Sequence, residues 1–354
     1  MTVYVAGTLL GVAFAKLASS DSINGKKLSK GFKKLFELLA ILPFVVIAGC
    51  RVDVGTDYGS YAKLYENPEF LTSHFAEGFS LMVNILRKFS QNSRFFFIAT
   101  SFFIYAPYVH TAIKESDNAA FSVLFMVISE DYFVSMNGIS QFLAIAFIWV
   151  AAMSLLKGQW IKSIILCLLA ATFHRSSLFF LIPMALYKCK LSIKQLIAAV
   201  AGTCIAGILG KKYMVSLIIQ FTSYGDYFSS NYANSQMTVA MPLMLIYVVM
   251  LIAMMLLTDL DEVDKDPKSR MFMISVLMSA AIMLMSYFLT SNTYRLIYYF
   301  SGIIGLCFPS ILHKIRRQKD RYIVEMAVIV LFTIWTTMLI MHNNQNALPY
   351  NWIL

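Results

Sequence analysis

The chain has 354 residues, enough for two or three soluble domains, yet 59% of it is hydrophobic and only 14% is charged. Its apolar residues come in long blocks instead of periodic stripes, which excludes a soluble globular class. A net charge of +10 raises a nucleic-acid reading that only the distribution of the charges can decide.

A hydrocarbon core about 30 Å thick needs ~20 apolar residues per crossing helix. Residues 2–18, 35–50, 95–113, 139–156, 193–210, 239–258, 271–290, 296–312 and 322–341 each read as such a span. Residues 119–136 make a poorer one, because Glu130 and Asp131 interrupt it near its end. Only helices or closed barrels satisfy the backbone in lipid, and these runs are too long for barrel strands. The expected fold is therefore all-α. It is a polytopic transmembrane helix bundle of about 11–12 membrane segments, forming one integral membrane domain over residues 1–354.

Residues 1–18 lack the positive n-region of a signal peptide, and Lys16 and the lysines that follow lie on the wrong side of the apolar run. They read as a first span with its N-terminus outside. Lys26, Lys27, Lys30, Lys33 and Lys34 then fill a first loop, and Lys314, Arg316, Arg317, Lys319 and Arg321 fill one near the other end. Short loops rich in Lys and Arg stay cytoplasmic. Counting inward from both anchors puts Lys157 and Lys162 inside, and Lys188, Lys190 and Lys194 as well. Residues 163–187 must then cross an even number of times, and they are too short for two full spans. A hairpin of two short or broken helices fits, with Phe173-His174-Arg175-Ser176 at its tip; a single span is the alternative. Residues 51–94 and 211–237 become extracytoplasmic loops. Most of the 29 basic residues thus express positive-inside bias, and no nucleic-acid partner is expected.

The five cysteines, Cys50, Cys167, Cys189, Cys204 and Cys307, show no metal-ligand spacing and read as packed free thiols. The sequence has no P-loop, dinucleotide fingerprint or HExxH. No cofactor and no metal are expected.

Three stretches of the outer face are unusually polar. The first runs from Arg51 through Asp53, Gly55, Asp57, Tyr58 and Tyr61. An arginine at the end of a span can simply snorkel, but two aspartates and a glycine turn beside it are dense for a passive anchor. Residues 76–90 follow with the spacing of an interfacial amphipathic helix, which Glu77 can cap. The second stretch is Phe173-His174-Arg175-Ser176-Ser177, set between apolar runs. An ionisable residue within the membrane costs about 2.5–3.5 kcal/mol on insertion scales and usually has a task or a partner. Histidine also titrates where proton transfer near neutrality needs it. The third stretch is Thr290 to Tyr299, with Tyr294, Arg295 and Tyr298 at the head of a span.

Arg51, Arg175 and Arg295 therefore fall on one predicted membrane face. Arginine suits bidentate recognition of phosphate oxygens, which a lipid-linked diphosphate presents at headgroup level. His174, Asp57, Asp53 and Glu77 are the candidates for proton transfer or for orienting a sugar hydroxyl, with Glu130 and Asp131 also open. The set suits glycosyl transfer from a lipid diphosphate, the cations stabilising the leaving group. A membrane acyltransferase and a lipid-oligosaccharide flippase remain as other readings; no internal repeat of the transporter kind is visible.

The residues also resemble a known family. Arg51-x-x-x-Gly55-x-Asp57-x-x-x-Tyr61, Glu77-Gly78-Phe79, Gln141-x-Leu143-Ala144, Phe173-His174-x-Ser176-Ser177, Tyr294-Arg295 and Pro349-Tyr350 look, in this order, like the EpsG family of Wzy-type polymerases. The resemblance implies an architecture like that of GT-C membrane glycosyltransferases. It also implies a polymerase of undecaprenyl-diphosphate-linked oligosaccharide repeat units, which serve as both donor and acceptor, in the bacterial cytoplasmic membrane and with its site facing the periplasm. A chain-length regulator protein and membrane lipid are the partners it implies. By position it makes Arg51, Asp57, His174 and Arg295 functional candidates; Tyr58, Tyr61, Tyr294 and Tyr298 are expected to contact substrate. The chain departs from the family pattern at Ser140, where arginine is common.

Overall fold

The computed structural model describes every residue except 24, 72–74, 190, 212, 214–215, 217–239, 289–290 and 353–354. The 211–237 loop expected above lies almost wholly outside the described residues, as does Thr290. The described chain is helical apart from a two-stranded turn at Ser22–Ile23 and Lys26–Lys27, which makes this an all-α polytopic bundle. Six of its helices are long and apolar enough to cross a membrane, and four shorter apolar ones accompany them. Contacts divide the chain into one unit of Met1–Leu181 with Met326–Leu354 and a second of Ile182–Glu325.

The first unit opens with α1 (Thr2–Ser19) packed along α2 (Lys30–Gly49). Gly7 and Gly11, one turn apart, permit this contact: a Cβ on Gly11 would meet the Phe44 ring and, at 3.3 Å, the Ala40 carbonyl. Small residues serve the same purpose wherever membrane helices approach closely. Ser29 caps α2 by accepting from the Phe32 amide at 3.3 Å, so the helix begins five residues before the apolar block that announces it. After α3 (Tyr58–Glu66) and α4 (Glu77–Arg87), α5 (Ser93–Glu115) crosses back, capped by Asn92.

The interrupted span at 119–136 breaks into α6 (Ala119–Ile128) and α7 (Asp131–Ser135). Glu130 sits between them with φ +64°, a left-handed conformation uncommon for a non-glycine residue. The break exposes carbonyls that α6 can no longer pair. One of them, Ile128 O, accepts from Thr336 Oγ1 at 2.6 Å, in the part of the helix Gln318–Met341 that belongs to this unit from Met326 onward. A second short step, Met136 to Gly138, then leads into α8 (Ile139–Leu156).

Helix α8 turns at Gly158 (φ +75°) into α9 (Trp160–Phe173), and Ser163 Oγ donates to Ala151 O at 2.8 Å across the pair. Ser140 and His174 thus lie at one end of an antiparallel pair, with Lys157 and Lys162 at the other. Lys157 bridges Glu115 at 2.6 Å, and His110 meets Glu37 at 2.5 Å. The lysine-rich starts and ends of α2, α5, α8 and α9 therefore share one end of the unit. Arg51 and His174 occupy the opposite end.

Past α9 the chain tightens into a 3-10 segment, Arg175–Phe180, before α10 (Leu181–Lys188). The segment folds against α9: Cys167 Sγ donates to Ser177 O at 3.6 Å, and Ser177 and Phe180 are fully buried. Regular helix is thus interrupted at His174.

The second unit holds α11 (Ile193–Leu209), α12 (Ala240–Leu257), α13 (Leu260–Lys265), α14 (Pro267–Phe288) and α15 (Tyr298–Leu312). Its basic end is organised by Arg270, which is 8% exposed. The guanidinium pairs with Asp264 and donates to Cys189 O at 3.1 Å and Leu191 O at 2.9 Å. Asp264 also accepts from the Ile193 amide at 3.2 Å, and Arg316 bridges Asp259 at 3.6 Å. One buried cation on α14 thereby ties the loop at Cys189–Leu191 to α13. Arg270 is buried and Asp264 half-buried, so losing Asp264 would leave a buried charge without its counter-ion. Arg295 lies at the other end of α15 from this cluster.

Candidate functional site

The site in the first unit is built around the step between α7 and α8. Arg51 leaves α2 and turns inward, 2% exposed. Its Nε donates to Val54 O at 3.0 Å, Nη2 to Met136 O at 2.8 Å and Nη1 to Ala48 O. The guanidinium carbon lies 4.7 Å from the Phe97 ring centroid and 5.9 Å from that of Tyr58. Burial pushes the Arg51 pKa down, against neighbouring tyrosines that raise it; an arginine remains charged even so. The backbone here is strapped by the C-terminal residues: the Val52 amide donates to Asn351 O and the Gly55 amide to Asn346 O, both at 2.9 Å, and Arg51 forms an isolated antiparallel bridge with Trp352. Tyr350 OH donates to Ile47 O at 2.8 Å, its phenol pushed up to about 12 by burial. Arg51 thus acts as a staple between α2, its own loop and the α7–α8 step.

Gly55 takes φ +103° and lies so close to Asn137 that a Cβ would stand 2.6 Å from Oδ1. The same Oδ1 accepts from the Asp57 amide at 3.5 Å, while Asn137 Nδ2 donates to Gln345 Oε1 at 2.7 Å and to Gln345 O at 3.1 Å. Asn137 therefore joins the Asp57 loop to the C-terminal strap. Asp57 is half-buried, and its Oδ1 accepts from Thr56 Oγ1 at 3.1 Å. Asp53 is exposed, with φ +54°. Tyr58 stacks on Phe97 at 4.6 Å, and Tyr61 is buried, its phenol accepting from the Ser140 amide at 3.4 Å. Both rings line the scaffold of the site.

Ser140, at the start of α8, places its Oγ 3.4 Å from His174 Nδ1. His174 is half-buried, and the next residue, Arg175, is exposed and reaches Glu77 at 3.5 Å, at the head of α4. Helix α4 comes this close because of Gly78: a Cβ there would run into Thr172 Oγ1 and stand 2.8 Å from the Thr172 carbonyl. Leu71, Phe75, Glu77, Ser80, Leu81, Asn84 and Arg175 line a cleft of about 500 Å³.

In the second unit, Tyr294 and Arg295 belong to a 3-10 segment, Ser291–Ile297, that leads into α15. Arg295 is exposed, Tyr298 is fully buried, and the Tyr294 and Tyr298 rings meet edge to face at 5.9 Å.

Within the first unit Arg51, the Asp57 loop and Tyr61 all reach the 136–140 segment, which meets His174 through Ser140, and Glu77 meets Arg175. The 136–141 segment is the hub. Asn137, Gln345 and Asn346 belong to this hub without carrying any charge or motif in the sequence. The only signal for them was a run of asparagine and glutamine at 343–346 and a lone asparagine before Gly138.

This is a multi-pass membrane protein with a polar site at the end of its helices opposite the lysine-rich one. A model of the EpsG family matches residues 34–352, and the chain belongs to that family. Its members are Wzy-like polymerases, which makes this protein, at the level of the family, a membrane polysaccharide polymerase. No curated protein and no solved structure matches the chain.

Proposed function

We propose that the protein joins undecaprenyl-diphosphate-linked oligosaccharide repeat units into a polysaccharide on the extracytoplasmic side of the bacterial cytoplasmic membrane. The observation that carries this reading is that His174, paired to Ser140, is followed directly by Arg175, which lines a cleft beside α4. Within each unit by itself the lysine-rich end is the cytoplasmic one by the positive-inside rule, so His174, Arg175 and Arg295 belong on the outer side. Nucleotide sugars are absent there, and the activated sugar must arrive on a lipid.

In the reaction, a hydroxyl at the non-reducing end of the acceptor repeat attacks the anomeric carbon of the donor chain. The bond from that carbon to the diphosphate oxygen breaks, and the lipid diphosphate leaves with the electron pair. Arg175 stabilises its growing negative charge, since a guanidinium offers paired donors to phosphate oxygens. Arg295 is a proposed diphosphate ligand in the second unit. His174 takes the hydroxyl proton, with Ser140 fixing the ring through Nδ1. Asp57, Asp53 and Glu77 are proposed to orient sugar hydroxyls. Arg51 supports this arrangement from below, because its donors are already given to Val54, Met136 and Ala48. A chain-length regulator is the proposed protein partner.

The test is the surface polysaccharide of a deletion strain. A single repeat unit on its lipid acceptor, in place of a ladder, is the expected result. Complete loss of surface repeats would point to a flippase, and a normal ladder lacking acyl groups to an acyltransferase; either outcome overturns the proposal.

A further inference from the structure

Helix α4 carries apolar residues on two sides. Phe79, Val83 and Leu86 are buried and attach it to the bundle. Leu81, Ile85 and, just beyond the helix, Phe89 are 61%, 45% and 75% exposed. They recur at intervals of four and so form a single strip along the helix. A second strip beside it is polar: Glu77, Ser80 and Asn84, three of the residues that line the cleft with Arg175. The attachment face of α4 is therefore already used, and its outer surface is divided lengthwise into a polar and an apolar track.

The position of the cleft gives this division a meaning. Gly78 lets α4 cross close over the end of α9, whose Ile161, Ile165 and Leu168 are exposed along its length as expected for a helix flank in contact with lipid. The cleft thus sits where that flank ends. Its cation is weakly held: Arg175 is 55% and Glu77 82% exposed across a 3.5 Å contact, and solvent-exposed pairs of this kind contribute little. A ligand with two or more phosphate oxygens can displace a single carboxylate from such a guanidinium. An anionic head on Arg175 with an apolar chain over Leu81, Ile85 and Phe89 matches both tracks at once.

We propose that the cleft between α4 and Arg175 is a lateral port that receives a lipid-linked diphosphate from the bilayer, with the isoprenoid chain lying along the outer apolar strip of α4. The port rests on the polymerase reading only for the identity of its ligand.

Site-specific photocrosslinking tests it on the full chain in nanodiscs of phosphatidylethanolamine and phosphatidylglycerol. Benzoylphenylalanine is placed at position 81 or 85, and at 165 or 331 as exposed apolar controls, and the probe is radiolabelled undecaprenyl diphosphate. Labelling at 81 and 85 is expected to exceed the controls about tenfold and to fall by a similar factor with Arg175→Ala. Unlabelled undecaprenyl diphosphate should compete, whereas inorganic pyrophosphate and added phosphatidylglycerol at the same concentration should not. Equal labelling at all four positions, which is bulk lipid contact only, overturns the port. So does labelling indifferent to Arg175→Ala, or competition by pyrophosphate alone. Labelling by a protein that extends no chain would refute the polymerase and leave the port standing. Chain extension without labelling would refute the port alone.

Discussion

Replacing His174 with alanine in a normally inserted protein should lower chain extension by about 10²–10⁴-fold, the usual contribution of a positioned acid or base. His174 ends α9, where the helix gives way to a 3-10 turn, so its ring is set by the backbone on both sides. Ser140 Oγ contacts Nδ1 at 3.4 Å from the first turn of α8. Ser140→Ala removes one long neutral hydrogen bond, worth about 0.5–1.5 kcal/mol, and is expected to slow the reaction only ~2–10-fold. The two effects separate a residue that handles the proton from one that orients it. Both are read from the rate of ladder formation by purified protein, normalised to the folded fraction. Equal losses at the two positions would mean that the pair acts as one structural contact.

Arg51→Ala should fail differently, through the fold. Its guanidinium satisfies carbonyls from α2, from its own loop and from the step before α8. A buried carbonyl left without a donor costs about 1–3 kcal/mol, so losing all three donors is expected to cost ~3–5 kcal/mol, allowing for partial relaxation. Lysine is a compact ammonium and cannot span three carbonyls in fixed directions, so Arg51→Lys should recover only part of the loss. The measurement is the thermal midpoint of the monodisperse protein on size-exclusion chromatography. A variant that stays as stable as the parent but loses activity would return Arg51 to the role of diphosphate ligand suggested by its residue type.

That contrast marks where the sequence is legible. The spans are, because lipid forces every crossing segment to be long, apolar and helical. Residues 139–156 match α8 residue for residue. The broken character of 119–136 is also legible, since Glu130 and Asp131 cannot lie unpaired in an apolar helix. The role of Arg51 is not. Its side chain is the type that binds phosphate, and only the packing of the α7–α8 step against the end of α2 shows that its donors are committed. Asn137 is silent for the same reason: its partner Gln345 lies 208 residues away in sequence, and no local pattern encodes that meeting. Ser140 shows the reverse. A departure from the family pattern gains a partner once α9 brings His174 beside it.

Polymerisation by this chain alone is tested by giving the purified protein in lipid nanodiscs only an undecaprenyl-diphosphate-linked repeat unit. A ladder of lengthening chains is expected, with one undecaprenyl diphosphate released for each repeat added. Recovery of the substrate unchanged from a folded, active-site-intact protein would contradict it.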